Sequence, residues 1–211
     1  MDRKVSSQED CAEEHSARFL FLSGRLCLDF VHTGGAKERE VFEAWHEPAD
    51  LTAWFADSSL HAEGIEVLPA DFQRAYVLRE AIWASALALA QGGVPSLADL
   101  AIINEAARYP DLVPQLPLGA SWPQWSSPLM AQAALSTIAR DAIALFASDQ
   151  AQRIRQCANL QCLLLFVDTS RPGQRRWCSM QRCGNRPKTA RYRSRRHLQS
   201  EGTSQVSPKE R

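Results

Sequence analysis

Four cysteines near the C-terminus are the residues best suited to chemistry in this 211-residue sequence. They form two pairs with the same spacing, Cys157-x4-Cys162 and Cys178-x4-Cys183, with fifteen residues between the pairs. Two like-spaced pairs are typical of a tetrahedral, all-cysteine zinc site, because each pair bends one short knuckle around the ion. Four thiolates fill the coordination sphere and leave no position for water or substrate. The spacing therefore predicts one structural Zn²⁺ ion.

The residues between the two pairs suit this task. The segment LLLFVD at 163–168 is predicted to be a strand, TSRPGQ at 169–174 a turn, and RRW at 175–177 the returning strand. Such a hairpin has almost no core of its own, and zinc binding to modules of this kind is coupled to folding. Four ordinary thiols are the alternative, which the paired spacing, the hairpin-like insert and the basic flank disfavour.

Positive charge is concentrated around and after these cysteines. Ten Lys or Arg residues and no Asp or Glu occur from Arg171 to Arg196. Residues 150–211 carry a net charge of +11 and residues 1–149 a net charge of −11, although the whole chain is neutral. This asymmetry indicates a basic binding module attached to an acidic body.

The chain that leaves the last cysteine is predicted to form a basic helix from Pro187 to Leu198, since proline suits a first helical turn. Helical spacing would align lysine, arginine and tyrosine side chains, which can contact phosphates or stack on a base. The predicted partner is nucleic acid, chiefly duplex DNA. The predicted contact residues are Arg175, Arg176, Arg186, Lys188, Arg191, Tyr192, Arg195 and Arg196.

Other functions stay open at this point. The basic helix could dock on the acidic body or stay solvated, the partner could be RNA, or the zinc module could bind another protein. Binding to phosphates is distinguished by its steep dependence on salt. An enzyme is not expected, because no nucleophile–base pair, open metal site or phosphate-binding glycine loop stands out.

Before the cysteines, the sequence predicts a mainly α body with a small sheet, hence an α+β fold. A disordered leader at 1–17 precedes a body at 18–150, a zinc finger at 151–198 and a disordered tail at 199–211. FLFL and RLCLDFV around Ser23-Gly24 are predicted to form a β-hairpin, and 110–125 a loop or short strand. Helices are predicted at 48–56, at 71–91, from Ser96 to about Arg108, and from Ser127-Pro128 onward.

Asp29, His32 and Thr33 lie at the end of the second predicted strand, where a polar cluster could line a cavity and bind a small-molecule effector. The alternative is a hydrogen-bonded pair or surface residues. Five tryptophans of the body could similarly form an aromatic pocket, although core packing or the contact of a homodimer is the simpler interpretation.

The sequence contains no recognisable targeting or membrane segment. The N-terminal residues lack the apolar stretch of a secretory signal. The longest apolar run, Ala81 to Ala90, is too short for a bilayer, which needs about 20 residues. We expect a soluble, cytoplasmic protein, whose cysteines are thiols or metal ligands rather than disulfides.

The C-terminal segment resembles the CGNR zinc-finger family, whose motif stands here as Cys183-Gly184-Asn185-Arg186. The resemblance extends over the first knuckle, the FVD of 166–168 and RRWCSMxxCGNRxK from Arg175 to Lys188. It implies that the four cysteines named above are the metal ligands. The body resembles the ABATE domain, described as a stress-induced transcription regulator, through GRLCLDFV at 24–31. Where that family commonly has Asn-Thr, this chain has His32-Thr33.

Overall fold

The computed structural model describes residues 18–119 and 124–185. It confirms a mainly α architecture with two small antiparallel hairpins. The leader at 1–17, the basic helix at 187–198 and the tail at 199–211 were predicted in segments outside the described residues. The α-helices are α1 Leu26–Val31, α2 Pro48–Asp57, α3 Pro69–Ala90, α4 Leu97–Ala107 and α5 Ala131–Phe146. The strands are β1 Pro114–Gln115, β2 Gln124–Trp125, β3 Ile154–Gln156 and β4 Leu165–Val167.

Local signals in the sequence account for the starts of the central helices. Pro48 and Pro69 occupy the first turns of α2 and α3, where a missing amide proton costs nothing. Ser96 precedes α4, and its hydroxyl accepts a hydrogen bond from the amide of Asp99 at 3.1 Å. These three helices were predicted within two residues of their observed bounds, because caps and prolines act over one helical turn.

The predicted hairpin around Ser23-Gly24 is wrong, because its second half forms α1. A long-range partner selects the helix: Asp141 of α5 accepts a hydrogen bond from the amide of Cys27 at 2.9 Å and forms an ion pair with Arg25. A carboxylate at a helix N-terminus satisfies an amide that has no partner within the helix. Short apolar runs fit a buried helix as well as a strand, so the pattern could not separate them.

The predicted start of the last helix at Ser127-Pro128 is also wrong, because α5 begins at Ala131. Met130 is extended and forms a parallel bridge with Glu66, which delays the helix. Within the expected loop at 110–125, β1 pairs with β2 in the register Pro114↔Trp125. The described helices include none long and apolar enough to cross a membrane.

One apolar core holds the helices together and extends into the C-terminal segment. Its centre contains Phe30, Trp45 and Trp54, whose rings lie 5.0 to 6.4 Å apart in tilted or edge-on geometry. The same core includes Ile154 of β3 and Val167 of β4. The finger is therefore packed against the body through its strands.

The hairpin of the finger differs from the prediction in its pairing. Residues 163–168 contain the expected strand β4, but its partner is β3, which precedes the first cysteine, with Arg155 opposite Phe166. Residues 175–177 form no strand. The amide of Arg175 donates to the buried carboxylate of Asp168 at 2.8 Å, so it is not available to a β ladder.

Candidate zinc centre and its junction with the helical body

The four predicted cysteines converge on one point. Their Sγ atoms all lie within 4.8 Å of one another, and the Cys178 sulfur is 3.6 Å from those of Cys162 and Cys183. A tetrahedral zinc with bonds of about 2.3 Å places its sulfurs about 3.8 Å apart, so the observed cluster fits this ion. Cys162 is half-buried and the other three are buried. The arrangement is that of one structural zinc site held by four thiolates.

The first knuckle, Cys157 to Cys162, lies in the loop that connects β3 to β4. The amide of Cys157 donates to the carbonyl of Leu164 at 2.8 Å, which continues the ladder to the first ligand. The amide of Cys162 then donates to the carbonyl of Asn159 at 2.8 Å and closes the turn. Leu163 has a φ of 55°, a left-handed conformation that redirects the chain from the knuckle into β4. The strand pair thereby fixes both cysteines of the first pair.

The second knuckle is a single π-helical turn, Met180–Gly184. Ser179 opens this turn, and its carbonyl accepts hydrogen bonds from the amides of Cys183 at 3.0 Å and Gly184 at 3.1 Å. A Cβ atom at Gly184 would lie 2.6 Å from the Met180 sulfur and 3.2 Å from the Trp177 ring. A larger residue at position 184 would have to displace the Met180 side chain, which is flexible and 53% exposed, and would press against the Trp177 ring.

Asp168 organises the loop that joins the knuckles. Its carboxylate accepts hydrogen bonds from the amide and hydroxyl of Ser170, at 2.9 and 2.6 Å, and from the amide of Arg175. Burial acts to raise the pKa of Asp168, but these hydrogen bonds outweigh it and hold the pKa below its ordinary value. Gly173 completes the predicted turn with a φ of 64°. One carboxylate thus sets the path of the chain between the ligand pairs.

The thiols influence one another strongly. The hydrogen bond from the Cys178 thiol lowers the pKa of Cys162 to about 5, and the same bond raises the pKa of Cys178. Burial raises the pKa of Cys157. A zinc site of this kind needs all four groups as thiolates, so their protons are released when the ion binds. Zinc affinity therefore decreases as the pH is lowered, because protons compete with zinc for the thiolates.

His32 joins the body to the finger. Its Nε2 accepts a hydrogen bond from the amide of Leu165 at 3.2 Å, and the carbonyl of Ser23 accepts from the amide of Val167 at 2.9 Å. These two amides lie on the edge of β4 that β3 does not use. Because Nε2 is the acceptor, the imidazole is neutral and carries its proton on Nδ1. Burial lowers the pKa of His32 to about 3, and its side chain is only 3% exposed.

The two other residues of the predicted ligand cluster also make hydrogen bonds, Asp29 beside the junction and Thr33 within the body. Asp29 Oδ1 accepts from the amide of Ser23 at 3.0 Å and lies 4.0 Å from His32 Nδ1. Burial raises the pKa of Asp29 to about 6. Thr33 is buried, donates to the carbonyl of Phe30 and accepts from Arg79. Ligand binding by these three residues stays a prediction, while their observed contacts are within the protein.

Two of the eight predicted nucleic-acid contacts, Arg175 and Arg176, lie within the described residues. Arg175 points inward: its guanidinium lies 4.6 Å from the Phe166 ring centroid and donates to the carbonyls of Trp177 and Cys178. Arg176 is exposed, with its guanidinium 5.5 Å from the Trp177 ring centroid. The other six predicted contacts lie outside the described residues, namely Arg186, Lys188, Arg191, Tyr192, Arg195 and Arg196.

A cavity of about 280 Å³ lies at the same junction, and His32 of the predicted cluster is in its wall, whereas Asp29 and Thr33 are not. The body contributes Arg18, Arg39 and Trp83 to its wall, and the finger contributes Leu163 and Arg182. No spacing signal could reveal this set, because the arginines come from three separate segments. The sequence indicated His32 as a cavity residue, but it gave no signal for the three arginines.

Two family models match the chain. Residues 24–149 match the ABATE family, whose description is "putative stress-induced transcription regulator", and residues 153–196 match the CGNR zinc finger. No curated protein matches the chain. The two matches follow the order of the helical body and the four-cysteine module. The chain therefore belongs to the ABATE family and carries a C-terminal CGNR zinc finger.

Proposed function

We propose that the protein is a DNA-binding transcription regulator in which the zinc finger holds a basic segment against the phosphates of a duplex. The observation that carries this proposal is the run of ten Lys or Arg residues without an acidic residue from Arg171 to Arg196. Solubility alone does not require such a one-sided charge. The family description supports the regulatory part of the proposal.

The zinc centre gives this segment a fixed starting point. Cys183 is a metal ligand and Gly184 is buried against Met180 and Trp177, so the backbone is held up to the residue that precedes Arg186. A segment that is anchored at one end loses less conformational entropy when it binds a rigid partner. The exposed guanidinium of Arg176 extends the positive surface on the finger itself.

The acidic helical body has the complementary role in this proposal: it senses a ligand or mediates oligomerisation. It is the larger part of the chain and shares its core with the β3–β4 hairpin. A change in the body can therefore reach the finger through packed side chains. In this proposal the protein binds its partners and catalyses no reaction.

The test is a titration of zinc-loaded protein with duplex DNA at several salt concentrations. Replacing Lys188, Arg191 and Arg195 together with Gln should weaken binding to all sequences alike. Each lost phosphate contact should reduce the slope of log K against log salt by about 0.9. The matched control replaces Lys37, Arg74 and Arg108, which are exposed cations of the body, with Gln.

Arg186 is our candidate for contact with a base, because it lies nearest to the zinc-fixed end. Its replacement should cost about 1 to 3 kcal/mol at one position of the preferred sequence and little elsewhere. Unchanged affinity and salt slope in the triple variant would overturn DNA binding by this segment, and docking on the acidic body would become the better account. Tighter binding to single-stranded RNA than to duplex DNA would favour an RNA partner.

A further inference from the structure

We infer that the cavity between the body and the finger binds a small organic monocarboxylate. The cavity has a volume of about 280 Å³, comparable with roughly nine water molecules at about 30 Å³ each. It therefore suits a ligand with on the order of ten non-hydrogen atoms. This inference rests on the proposed sensory role of the body and is independent of DNA binding.

The charge of the cavity wall indicates an anion. Three arginines line it, Arg18, Arg39 and Arg182, and no described lining residue is Asp or Glu. Arg18 and Arg39 are each paired with a carboxylate outside the wall, Asp50 and Glu80 respectively. These pairs orient the two guanidinium groups and offset their charges. Arg182 has no carboxylate partner among the described residues, and the thiolate of Cys162, which shares its charge with zinc, is the other charged group at this wall.

Arg182 is the residue with spare donors. It is half-buried, and its guanidinium makes no hydrogen bond or ion pair to another described residue. Its charge is close enough to help to lower the pKa of His32. A guanidinium forms two parallel hydrogen bonds with a carboxylate, which a point charge cannot do. A half-buried arginine at a cavity wall, unpaired within 18–119 and 124–185, is therefore suited to a carboxylate.

The remainder of the wall is apolar and suits a hydrocarbon group. Leu20, Phe42, Trp83 and Leu163 face the cavity, and the Arg39 guanidinium lies 4.2 Å from the Trp83 ring centroid. This stacking places a flat, polarised surface on one side. Ligand sites commonly combine apolar walls with a few polar groups that fix orientation. The wall favours an aromatic or short aliphatic carboxylate over a free inorganic ion.

The position of the cavity would make the ligand a bridge between the two units. Its finger side includes the zinc ligand Cys162 and the next two residues, Leu163 and Leu164. The residue after these is Leu165, whose amide donates to His32. A ligand held by both walls stabilises the docked arrangement by RT ln(1 + [L]/Kd), where [L] is the free ligand concentration. The Leu165 amide should therefore exchange with solvent more slowly when the cavity is filled.

The experiment titrates benzoate into full-length, zinc-loaded protein at constant ionic strength, followed by amide NMR shifts and calorimetry. We expect saturable binding with shifts at the amides of Leu163 and Leu164 and at the Trp83 indole. Benzyl alcohol tests the need for charge, and acetate and inorganic phosphate test the need for the apolar group. All three should bind at least tenfold more weakly than benzoate.

Arg182→Gln should weaken benzoate binding about tenfold or more, and the second variant, Arg18→Gln, should weaken it to a smaller degree because that side chain is 47% exposed. The matched control is Arg171→Gln, an exposed arginine of the same finger outside the cavity wall. Zinc content is measured for each variant.

Three results would overturn the inference. The first is the absence of saturable benzoate binding in the millimolar range, and the second is an affinity for benzyl alcohol equal to that for benzoate. The third is a loss of zinc in Arg182→Gln while the zinc-loaded fraction keeps its benzoate affinity. The last result would assign Arg182 to neutralising the thiolates. DNA affinity is measured separately on the same variants, so a failed DNA proposal and a failed cavity proposal give different outcomes.

Discussion

Replacing His32 with Ala tests the junction between the body and the finger. The change removes the acceptor of the Leu165 amide and leaves that donor of β4 unsatisfied, at a cost of about 1 to 3 kcal/mol. Lost packing of a side chain that is 3% exposed adds about 1 kcal/mol or more. The change also removes the buried Nδ1–H of His32, which has no hydrogen-bond partner among the described residues, and this offsets part of the cost. We expect the free energy of unfolding to fall by about 1 to 3 kcal/mol in total.

The cavity beside His32 limits the size of this effect. Because the imidazole belongs to the cavity wall, water can approach the Leu165 amide in the alanine variant and replace part of the lost hydrogen bond. The result should therefore lie nearer the lower end of the range. His32→Asn, which restores the residue of the resembling family, keeps an acceptor on a shorter side chain and should recover part of the loss.

The assay is urea unfolding of zinc-saturated protein, with thermal unfolding and amide exchange as supporting measurements. For a chain of this size, about 1 kcal/mol corresponds to roughly 2 to 4 °C in Tm. The amides of Leu165 and Val167 should lose protection in His32→Ala. The control is His46→Ala, since that side chain is exposed. Equal stability and equal Leu165 protection in both variants would refute the role assigned to His32.

Three further predictions concern the zinc, the buried acid and a buried ion pair. Cys157 and Cys178 both changed to Ser should abolish stoichiometric zinc by elemental analysis, because each knuckle loses a ligand; zinc that persists would contradict the four-thiolate site. Burial raises the pKa of Asp29 to about 6, so the folded state gains stability as pH falls from about 6 to its unfolded value near 4. Asp29→Asn should lose that gain, becoming less stable relative to wild type by up to about 3 kcal/mol across this window, and a constant difference in unfolding free energy would refute the assignment. Arg79→Leu should cost about 3 to 5 kcal/mol in denaturant unfolding, because it leaves the paired Glu43 carboxylate without its cation, and a loss below about 1 kcal/mol would contradict this account.

Several features were predictable from the sequence because their causes are local. The zinc ligands follow from two pairs of cysteines at one spacing, and the ion itself brings the pairs together. The helices at 48–57, 69–90 and 97–107 begin at prolines or a capping serine. Charge asymmetry is a property of composition, so it needed no structure to be seen.

Other features depend on partners far away in the chain, and these were predicted wrongly or not at all. Residues 26–31 form a helix because Asp141, 114 residues after Cys27, accepts its N-terminal amide. β4 pairs with β3, which precedes the first cysteine, while the carboxylate of Asp168 accepts the amide of Arg175. A pattern of apolar residues within one segment contains no information about either carboxylate.

The sequence by itself determined the metal centre and the positive charge beside it, because ligand spacing and charge are written in consecutive residues. Only the tertiary structure decided that His32 accepts from Leu165 and that Arg18, Arg39 and Arg182 surround one cavity. These residues are brought together by burial of a core shared between the body and the finger. That burial depends on the summed contacts of the whole fold, and no short segment encodes it.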